Sequence, residues 1–149
     1  MRALDNFVGG NVIPGGSAIT LTKANTKDTV LLDTAAGTTV TLPASTGDKS
    51  VYNVLVSVLA TSNSHIVKVA NTNDVIQGSI WISDTDTAGT TTAFSGNATS
   101  DTITLNRSTT GSVTIGEWIQ IVDVLAGTYA VTGLLSNTGT GTSPFSATV

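Results

Sequence analysis

Residues 117–135, EWIQIVDVLAGTYAVTGLL, decide the fold class. Two runs rich in β-branched and other apolar residues, 117–125 and 128–135, flank Ala126-Gly127. That pattern predicts a β-hairpin turning at the glycine. Upstream, residues 51–59 are apolar on both faces: Tyr52, Val54, Val56 and Val58 on one, Val51, Leu55 and Leu59 on the other. This profile predicts a central strand covered on both sides. Shorter alternating runs precede it. Ile19 and Leu21 alternate with Thr20 and Thr22, and Val40 and Leu42 alternate with Thr39 and Thr41 until Pro43 ends the strand.

Segments 28–33, 65–70, 74–83, 102–105 and 112–115 complete the set of predicted strands, with 106–111 as a hairpin turn. Residues 84–100, rich in Asp, Thr, Gly and Ser, read as a long loop carrying Phe94. No segment holds a helical period, and no repeat at fixed spacing is visible. The expectation is an all-β protein, with residues 18–149 forming a single β-sandwich or jelly-roll-like domain.

Residues 1–17 stand apart. Gly9-Gly10, Gly15-Gly16 and Pro14 exclude a helix or a long strand there. Yet the stretch carries Leu4, Phe7, Val8, Val12 and Ile13, too many apolar groups for a solvated linker. It is expected to be an extended N-terminal arm whose apolar side chains find partners elsewhere.

Composition narrows the function. Charged residues make up 11% of the 149, against roughly 25% in an ordinary globular protein. The polar surface must therefore come from Thr, Ser, Asn and Gly. Monomers use charge to stay apart in solution, so a nearly uncharged surface suits an assembly in which much of it is hidden. The net charge is −4 and the 6 basic residues do not cluster, which argues against a nucleic-acid partner. With no cysteine there is no disulfide or thiolate metal site. The first residues lack the apolar core of a signal peptide, and no run approaches membrane-spanning length. The expectation is synthesis in the cytoplasm as a soluble chain without a membrane partner.

Catalytic chemistry finds little material. His65 is the lone histidine, and no Gly-x-Ser-x-Gly elbow is present. Asp28, Asp33, Asp48, Asp74 and Asp101 sit where turn formers belong. Asp84-Thr85-Asp86 has the spacing of two carboxylates that can share Ca²⁺, but it lacks the rest of an EF-hand loop. Glu117 is the only glutamate, which excludes a paired-glutamate glycosidase site. Asn97-Ala98-Thr99 and Asn106-Arg107-Ser108 match the glycosylation pattern but carry no weight without a secretion signal. No catalytic, cofactor or metal residue is assigned. Trp81 and Trp118 lie beside Ile80 and Ile82 or Ile119 and Ile121, so alternation turns each tryptophan to the opposite face. That face is expected to be a subunit interface, where Trp is enriched, or else a sugar-stacking platform.

Several stretches resemble tailed-phage head decoration (capsid cement) proteins: TVLLDTAAGTTVTLPASTG at 29–47, residues 52–58, HIVKVANTNDVIQG at 65–78, DTITLNRSTTG at 101–111 and the ending SPFSATV at 143–149. The resemblance implies a β-sandwich subunit, commonly a homotrimer, on the exterior of a virion capsid. It would sit at junctions between copies of the major capsid protein, with no catalytic residue and no cofactor. The expected assembly contacts are Leu4, Phe7, Val8, Val12, Ile13, Trp81, Trp118 and Phe145. The alternative is a tail-fibre, baseplate or glycan (receptor)-binding module.

Overall fold

A computed structural model describes residues 10–149. Twelve strands run in chain order: β1 (Val12–Pro14), β2 (Ala18–Thr20), β3 (Thr29–Leu32), β4 (Thr39–Thr41), β5 (Val51–Val56), β6 (His65–Lys68), β7 (Val75–Asp84), β8 (Thr91–Gly96), β9 (Thr102–Leu105), β10 (Trp118–Leu125), β11 (Thr128–Asn137) and β12 (Phe145–Ser146). They form a seven-stranded sheet, β1-β3-β5-β10-β11-β7-β8, and a five-stranded sheet, β12-β9-β6-β4-β2. Alternate side chains from both sheets meet in one core. Val30, Leu32, Tyr52, Val54, Ile76, Ile80, Ile119 and Ile121 come from the larger sheet, and Val40, Val67, Ile103 and Leu105 from the smaller.

The expected all-β fold is present, but its connectivity is not that of a jelly roll, whose sheets are antiparallel. The first six strands switch sheets at every step. β1, β3 and β5 lie side by side in parallel, as do β2, β4 and β6. The chain therefore winds three parallel coils between the two layers. Val12 pairs with Thr29, and Thr29 with Asn53, so successive coils differ in length. Unequal coils explain why no fixed repeat is visible in the sequence. After β6 the chain turns to antiparallel pairing, apart from the parallel contact of β11 with β7.

The arm expected over residues 1–17 is only partly in view. Leu4, Phe7 and Val8 lie outside the described residues. Val12–Pro14 is the edge strand β1 of the larger sheet, and Ile13 packs against the core. Three other expectations are corrected. Residues 84–100 are not one long loop, because β8 pairs with β7 inside them. Residues 112–115 form no strand, so no hairpin joins 102–105 to them. The N–H groups of Ser112, Val113 and Thr114 are instead drawn to the Glu117 carboxylate. Strand β5 ends at Val56, and its outer side chains Val51, Asn53 and Leu55 are only half-buried rather than covered.

Two tyrosines meet edge to face in the core, with ring centroids 6.5 Å apart. The Tyr129 hydroxyl donates to the Pro43 carbonyl at 2.5 Å, while the buried Tyr52 hydroxyl has no hydrogen-bond partner among the described residues. A buried hydroxyl without a hydrogen bond costs stability. Tyr52→Phe is accordingly expected to be neutral or to stabilise by up to about 1 kcal/mol, whereas Tyr129→Phe costs about 1–3 kcal/mol. Urea denaturation of the two variants measures the contrast.

Candidate assembly face

The outer face of the seven-stranded sheet is organised in rows across the strands. One row is apolar. In register it runs Leu31, Leu55, Trp118, Leu134, Trp81, Ala93, on β3, β5, β10, β11, β7 and β8. Five strand spacings carry it about 24 Å across the sheet. Trp81 is 52% exposed, Trp118 42% and Leu134 45%. Next to it lies a polar row: Thr29, Asn53, Gln120, Thr132, Ser79, Ser95. Its members bond one another, Gln120 to Asn53 at 3.1 Å and Ser79 to Ser95 at 2.8 Å. On the other side Ser136 pairs with Ser83, and its hydroxyl lies 2.9 Å from that of Thr114.

No outward position in either row carries a charge. Parallel strands such as β3 and β5 usually have both faces covered, but Leu31 and Leu55 are only half-buried here. An apolar strip bordered by uncharged hydrogen-bonding groups has the anatomy of an interface, with a dry centre and a polar rim.

The charged residues are engaged elsewhere. Asp123, on the inward side of β10, is fully buried. It accepts hydrogen bonds from Lys23 Nζ (2.5 Å), Ser45 Oγ (2.7 Å), Thr46 N (2.9 Å) and Gly47 N (2.8 Å). Burial works against ionisation, but the Lys23 ammonium, the two backbone N–H groups and the Ser45 hydroxyl prevail. They hold its carboxyl well below the usual carboxylate range. This knot fixes the 43–50 loop to the hairpin that carries Trp118 and Leu134.

At the other end of β10, Glu117 is 4% exposed and accepts three backbone N–H groups at 2.7 Å. Burial nevertheless pushes its carboxyl up from the ordinary value, with those bonds opposing the shift. Asp28 accepts from Asn11 N and Asp33 from Gly16 N, both at 2.8 Å, on either side of β1. Asp101 holds the C-terminal end through Thr148 N at 2.8 Å. Sequence reasoning put most of these aspartates in turns. It missed that their carboxylates reach across the fold, and it missed Asp123 altogether. The available signal was parity, because Asp123 shares the inward face with Ile119 and Ile121.

His65 is fully buried, with Nδ1 accepting from Thr38 N and Nε2 donating to Val58 O, both at 2.9 Å. Its hydrogen-bonding role is therefore structural and internal. Burial lowers its affinity for a proton, so the ring is held neutral. Asp84 and Asp86 line a cleft of about 440 Å³ between the β7–β8 turn and residues 137–141. Asp84 Oδ1 accepts from Asp86 N at 2.8 Å, and Asp86 Oδ2 from Gly139 N at 2.7 Å. Among the described residues, no three His, Asp or Glu side chains converge as metal ligands. Asn97 and Asn106 are turn formers: their side-chain oxygens accept from Thr99 N at 2.9 Å and Ser108 N at 3.0 Å.

Of the residues expected to make contacts, Trp81 and Trp118 share the apolar row, and Val12 is 66% exposed at the sheet edge. Ile13 and Phe145 are half-buried against the core instead, with the Phe145 ring beside Gly96. Leu134, central to the row, was missed because the hairpin register that places it between the tryptophans is a tertiary property. No family model, curated protein or solved structure matches the chain.

Proposed function

We propose that this protein is a structural virion subunit, a decoration (cement) protein that coats the outside of a phage head. Copies associate through the outer face of the seven-stranded sheet, as the trimer that the resemblance to decoration proteins implies. The trimer then bridges neighbouring major capsid proteins and so opposes the outward pressure of packaged DNA. A three-fold binder engages several capsid sites at once, so weak single contacts suffice.

The observation that carries this reading is the uncharged outer face crossed by the Leu55–Trp118–Leu134–Trp81 strip. Each still exposes part of its apolar surface, whose burial is worth roughly 1 kcal/mol apiece, and among the described residues nothing covers them. The test uses DNA-free heads assembled from the major capsid protein encoded with this chain. Added protein is expected to co-sediment saturably and to appear as regular external density in electron micrographs. A chain that stays monomeric at every concentration and leaves the heads bare would overturn the proposal.

A glycan-binding module is the second reading, favoured by two exposed tryptophans about 10 Å apart, two strand spacings. It requires sugars to quench their fluorescence, which a packed polypeptide interface does not.

A further inference from the structure

A sheet also has edges, and the seven-stranded sheet leaves one of them open. β1, at the far edge, is three residues long and contains Pro14. The smaller sheet ends in β2, of three residues, and β12, of two. Short strands and proline are the usual protections against edge-to-edge pairing. β8, Thr91-Thr92-Ala93-Phe94-Ser95-Gly96, has neither. It is six residues long, uncharged and free of proline, and within the described residues only β7 pairs with it.

The direction of its backbone groups follows from the ladder. Asp84 N donates to Thr90 O at 2.9 Å, and the register places Ser83 opposite Thr91. Bonded and non-bonded pairs alternate in an antiparallel ladder. Thr92, Phe94 and Gly96 therefore bond β7, while the N–H and C=O groups of Thr91, Ala93 and Ser95 face away from the sheet. β7 agrees from its other side, where Val75 N and Thr85 N bond the β11 segment.

The geometry points to antiparallel pairing of β8 with β8 of a second copy, about a two-fold axis at Ala93. The outward groups are self-complementary about that point. Ala93 meets Ala93 of the second copy, and Thr91 meets Ser95 in both directions, each pair exchanging two N–H···O bonds. Side chains keep their faces, so the Trp118–Leu134–Trp81–Ala93 strip continues unbroken into the second copy. Charge does not oppose the approach. The acidic turn at Asp84 and Asp86 of one copy runs toward the uncharged turn 97–99 of the other. The contact is two-fold and rests on backbone groups, so it is separate from the face contact proposed above. Where both form, neighbouring trimers become linked edge to edge, which a coat spread over a shell needs.

The test is the mass in solution of wild type, Ala93→Pro and Ala93→Lys, by sedimentation equilibrium over a wide concentration range. Proline at 93 removes an outward donor and costs no bond to β7, and lysine places a charge at the axis. Both variants are expected to keep a near wild-type melting temperature, to weaken pairing at least ~100-fold, and to halve the wild-type mass. Thr92→Pro, whose N–H faces β7, should melt distinctly lower and so verifies the strand's orientation. An unchanged mass in both Ala93 variants, or a wild type with no even-numbered species, overturns the inference. So does an unchanged mass with lost head binding, which would put a capsid strand on this edge. Ala93→Pro keeps the row beside Trp81 apolar, so its loss of the two-fold contact leaves the face contact to be judged on its own, whereas Ala93→Lys also charges the end of that row.

Discussion

Asp123→Ala lowers the unfolding free energy by about 3–5 kcal/mol, the scale seen when one partner of a buried charged network is removed. Four hydrogen bonds are lost at once: Thr46 N and Gly47 N lose their acceptor, Lys23 Nζ is left with Asp48 alone and Ser45 Oγ with the Leu125 carbonyl. Asp123→Asn keeps the shape but turns an NH₂ group toward donors, so it recovers only part of the loss. Urea or thermal unfolding reads both variants, and a cost below about 1 kcal/mol for Asp123→Ala would refute this account of the knot.

The same group sets the acid limb of stability. Its folded carboxyl titrates below the unfolded value of about 3.9. Its contribution is therefore complete above that pH and is lost as pH falls toward the folded pKa. His65 acts earlier and in the same sense. Its folded imidazole resists the proton that the unfolded ring accepts near pH ~6.5, so stability begins to decline below that value. Glu117 runs the other way. Its raised carboxyl contributes stability below the ordinary glutamate value and loses it as pH rises through the folded pKa. In Asp123→Asn the loss below about pH 4 should become shallower, with Asp101, Asp48 and His65 still contributing to it.

Trp81→Ser combined with Trp118→Ser is expected to weaken the proposed face-mediated self-association about 1,000-fold. Central interface tryptophans are typically worth about 2 kcal/mol or more each, and 1.4 kcal/mol is tenfold in affinity. The two residues sit on either side of Leu134 in one row, so one neighbouring surface covers both. Folding stability should change by only about 1 kcal/mol, because both side chains are exposed and lose cross-strand contacts rather than core packing. Thr132→Ser, in the adjoining polar row, is the matched control and should leave association within about twofold. Sedimentation equilibrium and co-sedimentation with heads read the same variants. Association of the double variant within about tenfold of wild type would show that the strip is not the contact surface.

Much of the architecture is local and was legible in the sequence. Alternation in 117–125 and 128–135 fixes the β10–β11 hairpin, because a period of two admits only one inward face. The same rule turned Trp81 and Trp118 outward before any partner strand was known. The strand β8 was not legible. Its residues are small and polar, and only pairing with β7 distinguishes them from a loop. The segment 112–115 failed for the opposite reason: its strand propensity yields to a buried carboxylate that takes its backbone donors.

By itself, then, the sequence determined an all-β chain, poor in charge, with two outward tryptophans. Those properties reside in single residues and in their spacing along one strand. Tertiary structure alone decided that three unequal coils lie in parallel, that Leu134 falls between the tryptophans, that Asp123 knots a distant loop, and that β8 ends its sheet, paired among the described residues with β7 alone. Each of these depends on which strands become neighbours and in what register. Register is chosen by the whole buried face at once, so no single strand carries the information.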